Sequence, residues 1–280
     1  MSNELTETTR QPMLPAIFTK KTEEVFDVKE NLRGIKAEVK VIEIVHRGQM
    51  FRIKGSSRPP FASFKGIIVY HHNSRSYWSG PVDLDRRQPP DCFSMDGMFA
   101  EPPDAQNDKC PIPPHQREFN EKKYGNRFVC STCPKAAWGS DPKGGRGKAC
   151  SEKHRLFILA LDPELQSQIP YRLIVPPTSL ANVNGFFTDL VYASVPHQIV
   201  ITDFGLERKD KGGGVEYAEL TLKADTTRRM PTEEQRELAK VIEMLKSQFQ
   251  SAPDTMEHGE TDHPAPSYEE APPPSDDIGF

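Results

Sequence analysis

The chain of 280 residues carries 36 Lys and Arg against 40 Asp and Glu, a formal net charge of −4, and 36% of its residues are hydrophobic. No run approaches the roughly 20 consecutive apolar residues of a membrane-spanning helix, and the N-terminal residues lack the apolar segment of a secretory signal. The composition therefore argues against membrane and secreted proteins, and it predicts a cytoplasmic protein with no membrane partner.

The charge is unevenly distributed along the chain. Residues 251–280 contain eight acidic side chains and no Lys or Arg, which leaves 36 basic against 32 acidic residues in 1–250. A weakly basic body can attract a polyanion, and an acidic tail can compete with that polyanion for the body. Low hydrophobicity and charge of one sign predict that 251–280 is disordered.

The first part of the chain alternates between an arm and strand-forming segments. Residues 1–30 show no periodicity and are predicted to form an arm, and the sequence leaves open whether this arm mediates self-association. Three strands are then predicted at residues 37–45, 49–55 and 61–72. In the first of these strands, Val39, Val41 and either Ile44 or Val45 are expected to face the core.

Regular patterning returns after a loop-rich segment at 80–153. Strands are predicted at 155–162 and 171–177, and a long hairpin at 197–207 and 215–225. Residues 178–193 are predicted to form a short helix that Gly185 interrupts or weakens, with Thr178 or Ser179 as the cap. An apolar stripe at helical spacing predicts a C-terminal amphipathic helix over 231–250. The body, residues 31–250, is therefore expected to be a β-barrel or sandwich with 80–153 inserted between strands.

The inserted segment contains all five cysteines of the chain. Cys130 and Cys133 form a C-x2-C pair, and a structural zinc site combines such a pair with two further ligands. Cys150 is the expected third ligand. Cys92 is favoured as the fourth because it lies in a polar turn, with Cys110 as the alternative and two histidines, His115 and His154, as outside candidates. A redox role is disfavoured, because no long helix can start at the pair.

Aromatic and basic residues are interleaved in and around this segment, as binding to single-stranded nucleic acid requires. Tyr77 and Trp78 are expected to lie in a polar loop where nothing buries them, and Trp138 is a further candidate for stacking on bases. The complete set of predicted nucleic-acid contacts is Lys65, Tyr70, Arg75, Tyr77, Trp78, Trp138, Lys143, Arg146, Lys148 and Arg155. Aromatic residues in strands are usually core residues, so about half of the aromatic residues are expected to be packing.

The chain ends in "DDIGF", which resembles the "DDIPF"-type C-terminus of bacterial single-stranded DNA-binding proteins. The segment "CSTCPKAAWGSDPKGGRGKAC", the helix and the acidic tail together resemble the zinc-containing single-stranded DNA-binding proteins of tailed phages. This resemblance implies an OB-fold core, sequence-independent binding to single-stranded DNA and recruitment of replication and recombination proteins by the tip. The tip residues are Asp276, Asp277, Ile278 and Phe280, and Gly279 departs from the proline of the bacterial motif.

The sequence therefore predicts a non-enzymatic protein that binds single-stranded DNA in phage replication, recombination and repair, with zinc in a structural role. Two alternatives stay open. One is a nuclease or primase-like component with a zinc ribbon, which would need clustered carboxylates; Asp83 and Asp85 stand alone beside Arg86 and Arg87 and make no convincing pair. The other is an interaction adaptor that binds only proteins.

Overall fold

A computed structural model describes residues 14, 39–45, 48–79, 90–101, 128–142, 144, 147–167, 169–210, 216–227 and 229–249. These residues form ten strands and two α-helices, which confirms a mainly β protein. The strands are β1 Val41–Val45, β2 Met50–Ile53, β3 Phe64–Tyr77, β4 Cys92–Ser94, β5 Phe99–Glu101, β6 Phe128–Val129, β7 Ser151–Ala160, β8 Tyr171–Val175, β9 Ile201–Asp210 and β10 Glu216–Asp225. The helices are α1 Leu180–Tyr192 and α2 Thr232–Phe249.

The chain divides into two compact units. The core unit comprises Met1–His71 and His154–Phe249, and the cysteine unit comprises His72–Lys153 and Gln250–Phe280. Strands β3 and β7 contribute residues to both units. The arm, apart from Leu14, and the whole acidic tail lie outside the described residues.

The sheet of the core unit is mixed. Its strands follow the order β2-β1-β8-β7-β3, in which β1 pairs with β8 in parallel and the β1–β2 and β7–β8 pairs are antiparallel. Strand β9 pairs with the start of β3 and, along its whole length, with β10. The predicted hairpin of β9 and β10 is therefore confirmed. Among the described strands no closed barrel forms, so the OB-fold stays a prediction.

The sheet is covered on both faces, which explains the continuous apolar run of β7. Leu156 and Ile158 pack in a cluster with the buried residues of α1, whereas Phe157 and Leu159 pack in a second cluster with α2. Because successive side chains of a strand point to opposite faces, a strand buried on both faces needs no polar alternation. The two helices thus account for the pattern of the central strands.

Strands β3 and β7 approach each other closely at Gly66. A Cβ atom at this position would lie 2.4 Å from Ile158 Cγ2 and 3.0 Å from the carbonyl oxygen of Leu159. Any larger residue would force the two strands apart. The glycine is therefore explained by packing between neighbouring strands.

The residues that are buried in strand β1 differ from those that the sequence predicted. Ile42 is fully buried and Val41 is only partly buried, so the predicted inward position of Val41 is wrong. Glu43 is also buried, and its carboxylate accepts a hydrogen bond of 2.8 Å from Arg52 and lies 3.2 Å from Lys54 Nζ. A buried carboxylate is tolerated because the two cations of the adjoining strand and turn compensate its charge.

Helix α1 runs through Gly185 without interruption, so the predicted break is wrong. Ser179 occupies the N-cap position but makes no capping hydrogen bond. Its hydroxyl instead accepts a hydrogen bond of 2.9 Å from the Leu220 backbone N–H. The serine therefore joins the start of α1 to strand β10.

Helix α2 confirms the predicted amphipathic segment. Leu238 and Leu245 are buried, and Val241 and Ile242 pack against the same cluster. The Leu14 backbone N–H donates a hydrogen bond of 2.6 Å to the buried Glu234 carboxylate, which fixes one residue of the N-terminal arm against the start of this helix. Of the helices described, none has the length and apolarity needed to cross a bilayer.

Candidate functional site

Strand pairing places two of the predicted site residues together in the cysteine unit. Within the antiparallel β3–β4 pair, Arg75 lies opposite Ser94 and Tyr77 lies opposite Cys92. Strand β4 pairs in turn with β5, and β5 pairs with β6, which ends immediately before Cys130. The sheet therefore leads from Cys92 to the C-x2-C pair.

The C-x2-C pair lies in two short 3₁₀ turns. The Cys133 N–H donates to the Cys130 carbonyl at 3.1 Å, and the Cys150 N–H donates to the Lys135 carbonyl at 2.8 Å. Ser140 fixes the intervening loop, because its hydroxyl donates to the Lys135 carbonyl and accepts from the Ala149 N–H. These backbone contacts bring Cys150 back beside the pair.

The four favoured cysteines line one small cavity. Its volume is about 10 Å³, which is enough for roughly one water-sized atom. The lining includes Cys92, Cys130, Cys133, Cys150, Arg75 and Lys135. All four cysteines are free thiols. Cys110 lies outside the described residues.

The chemistry of these thiols fits a soft divalent cation such as Zn²⁺. Burial, followed by the nearby Cys130 and Cys133, raises the pKa of the Cys150 thiol to about 12. Burial also raises the pKa of Cys130, against the lowering effects of a Ser94 hydrogen bond and of Arg75. Several thiolates this close together therefore require a compensating cation. Within the described residues, however, no three or more His, Cys, Asp or Glu side chains are already arranged as a metal site.

A buried donor also faces this cavity. The Arg75 Nε–H is buried and has no hydrogen-bond partner, whereas the Nη2 atom of the same side chain donates to Glu152 at 3.2 Å. Arg75 lines the cavity with the cysteines. A guanidinium in this position compensates negative charge on sulfur, which is the usual role of a group hydrogen-bonded to a metal ligand.

Trp138 is the most exposed of the predicted aromatic contacts that the structure describes. Its side chain is 51% exposed, and Lys148 Nζ lies 4.3 Å from the centre of its ring. Both residues belong to the loop between Cys133 and Cys150. The predicted pairing of an exposed aromatic face with a cation is therefore present in this loop.

Two predicted contacts are buried. Residues 73–77 continue strand β3 instead of forming a polar loop, and Tyr77 packs in the small cluster with Cys92, Ala100 and Cys130. Arg155 is completely buried in strand β7. The expectation that Tyr77 is exposed is wrong, and neither side chain offers a surface to a nucleic acid, because strand pairing and packing enclose both.

The remaining predicted contacts are dispersed. Lys65 is exposed in the core unit and lies 3.3 Å from Asp203, and Tyr70 is partly buried beside Phe157. Trp78 is partly buried just after β3. The predicted residues Lys143, Arg146, Asp276, Asp277, Ile278 and Phe280 lie outside the described residues.

Three histidines of the core unit pack together around Phe187. His71 Nδ1 lies 3.0 Å from His154 Nε2, and the Phe187 ring stacks on His71 with 3.9 Å between ring centres. The His197 ring lies edge-on to His71 at 4.9 Å. Burial, followed by the proximity of His71, lowers the pKa of His197 to about 4. The outside candidate His154 therefore pairs with another imidazole in the core unit.

Sequence reasoning missed two charged residues of the cysteine unit. Lys135 lines the cavity and its Nζ lies 5.7 Å from the Tyr77 ring, and Glu152 accepts the hydrogen bond from Arg75. In the sequence, the feature that could have identified Lys135 and Glu152 is their position close to Cys133 and Cys150. The partners on strand β3 could not be read from the sequence.

No protein-family model, curated protein or solved structure gives a significant match to this chain.

Proposed function

We propose that this protein binds single-stranded DNA without sequence preference and without enzymatic activity, in phage DNA replication, recombination and repair. The observation that carries the proposal is the half-exposed Trp138 with Lys148 Nζ over its ring at 4.3 Å. An aromatic face stacks on any base for about 1–3 kcal/mol, while a neighbouring cation attracts the phosphate. The pair combines both requirements in one loop.

Zinc has a structural role in this proposal. Cys92, Cys130, Cys133 and Cys150 would hold the ion, and their position around one cavity supports this assignment. The ion would cross-link strand β4, the C-x2-C turn and the start of β7, and so fix the loop that carries Trp138. Four cysteine ligands leave no open position for a reacting water, which agrees with a non-catalytic protein.

The proposed fold of the DNA-binding body is an OB-fold. The mainly β character of the described residues supports this assignment. The resemblance of the cysteine segment to phage proteins supports a location in the cytoplasm of the host cell. In this proposal Ile278 and Phe280 enter an apolar pocket of a replication or recombination protein. The charge difference between body and tail supports this role.

A fluorescence titration tests the proposal. The chain contains two tryptophans, so a Trp78→Phe variant reports on Trp138 alone. We expect an oligo(dT) strand to quench the Trp138 emission, and we expect the affinity to fall as salt rises, because bound phosphates release counterions. Trp138→Ala, followed with a fluorescently labelled oligo(dT), should weaken binding by about tenfold, which corresponds to one lost stacking contact.

The same titration with a DNA duplex is the control. Equal binding to duplex and single strand would contradict the proposal, as would the absence of binding to either. Cleavage of the oligonucleotide in the presence of magnesium would instead favour the nuclease alternative.

A further inference from the structure

The carboxylate of Glu152 lies between two cations of the cysteine unit. Its Oε2 atom accepts a hydrogen bond of 3.2 Å from Arg75 and lies 3.9 Å from Lys148 Nζ. The side chains of Glu152, Arg75 and Lys148 are 27%, 18% and 26% exposed, so the group is partly enclosed but remains open to solvent. One carboxylate thus shares the charge of two cations.

The same lysine belongs to the aromatic contact. Lys148 Nζ lies both near Glu152 and over the Trp138 ring, whose side chain is half exposed. One nucleotide of a single strand requires an aromatic face on which its base stacks and a nearby cation that binds its phosphate. Trp138 and Lys148 provide both, and an anion already lies beside the cation. In the free protein the anion is Glu152.

The surrounding backbone holds these groups in place. Arg75 lies in the paired part of strand β3, opposite Ser94, and Glu152 lies in strand β7. The loop with Trp138 and Lys148 is fixed by the Cys150 N–H, which donates to Lys135, and by Ser140. The anion position is therefore largely formed before any ligand binds, which reduces the ordering cost of binding.

A phosphate can replace a carboxylate in this position because both are oxygen anions that accept charge-assisted hydrogen bonds from guanidinium and ammonium groups. The contact with Lys148, at 3.9 Å, is the longer of the two. It is therefore the contact that an incoming phosphate disrupts first, and the hydrogen bond from Arg75 to Glu152 is replaced after it.

We infer that Arg75, Lys148 and Trp138 form a subsite for one nucleotide of a single strand, and that Glu152 occupies its phosphate position in the free protein. This inference rests on the proposed function and adds an internal competitor to it. Glu152 lowers the affinity for DNA, because every binding event must first displace its carboxylate from Lys148.

The test compares Glu152→Gln with Glu237→Gln, which makes the same change of charge on the exposed face of α2, where Glu237 pairs with Lys240 at 2.7 Å. Binding of oligo(dT) is followed by Trp138 emission in the Trp78→Phe background. We expect Glu152→Gln to bind at least about threefold more tightly at low salt, with a salt dependence steeper by about one phosphate contact. Glu237→Gln should bind like the parent protein.

A further substitution, Lys148→Gln in the Glu152→Gln background, should abolish the gain, because the lysine is the cation that Glu152 releases. Should Glu152→Gln fail to fold, Glu152→Asp provides the test: it keeps the charge but shortens the side chain, and it should give a smaller gain in affinity. Suppose that the parent protein binds DNA and that the folded Glu152→Gln protein, or Glu152→Asp in its place, binds it equally well. The inference is then wrong and the proposed function stands. If no protein of the series binds oligo(dT), the proposed function fails and the inference fails with it.

Discussion

The core unit and the cysteine unit are held together in different ways. The core unit buries aliphatic and aromatic side chains on both faces of its sheet, including Phe51, Leu156 and Phe204. The buried cluster described in the cysteine unit consists of Tyr77, Cys92, Ala100 and Cys130. Because apolar burial is the main favourable contribution to folding, packing stabilises the first unit. The described residues of the second unit bury a smaller cluster, and the proposed zinc would add a cross-link there.

The largest expected effect concerns the metal. Replacing Cys133 with Ser removes one of the four proposed ligands, and we expect bound zinc to fall from about one equivalent to nearly none. Amide protection should be lost at Cys130 and Cys150, whose N–H groups bond within the cysteine unit, and kept at Leu161, whose N–H donates to Lys65 in the core unit. Metal analysis and hydrogen exchange measure the two effects.

Cys110→Ser is the matched control for this variant, because Cys110 is the alternative that the proposed ligand set leaves out. It should keep the full zinc content. A Cys133→Ser protein that retains one equivalent of zinc, or a parent protein that binds none, would show that the cysteine unit is not held by this metal site.

The next effect concerns packing in the core unit. Leu190 and Val191 are neighbours in helix α1, but the first is 4% exposed and the second is 76% exposed. Leu190→Ala should lower the free energy of unfolding by about 2–5 kcal/mol because it leaves a cavity. Val191→Ala should change it by less than about 0.5 kcal/mol.

Urea unfolding measures these two free energies, and zinc analysis shows whether the cysteine unit is affected. Both variants should keep the metal content of the parent protein. Similar losses from the two substitutions would mean that α1 is not packed on the sheet as described.

The smallest effect concerns pH. His197 is partly buried and neutral, with its pKa lowered to about 4 in the folded protein against 6.5 when unfolded. The unfolded chain therefore binds more protons between these pH values. The contribution of neutral His197 to the free energy of unfolding is fully present above about pH 6.5 and is lost as the pH falls toward 4. The expected loss for the parent protein between pH 7 and pH 5 is of order 1 kcal/mol.

His197→Gln removes the titrating group but keeps a polar side chain of similar size. Its urea midpoint should decrease less than that of the parent protein over the same pH interval. Equal decreases in the two proteins would assign the acid sensitivity to other groups, such as the neighbouring His71 and His154.

The sequence predicted the regular elements of the core unit more successfully than the environment of individual residues. Helix α2 and the β9–β10 hairpin follow from periodicity, which is a local property of the chain. The burial of Tyr77 and Arg155 does not, because it depends on packing that forms only when β3 pairs with β4 and β7 pairs with β8. The role of Glu152 was missed for the same reason.

The sequence by itself determined that the protein is mainly β, that its charge divides between a weakly basic body and an acidic tail, and which residues could bind a soft metal. Only the tertiary structure decided which cysteines share a cavity, which aromatic side chains remain exposed and which carboxylate lies between Arg75 and Lys148. Composition and periodicity are carried by neighbouring residues along the chain. Burial and charge compensation depend on residues that meet only when distant strands pair.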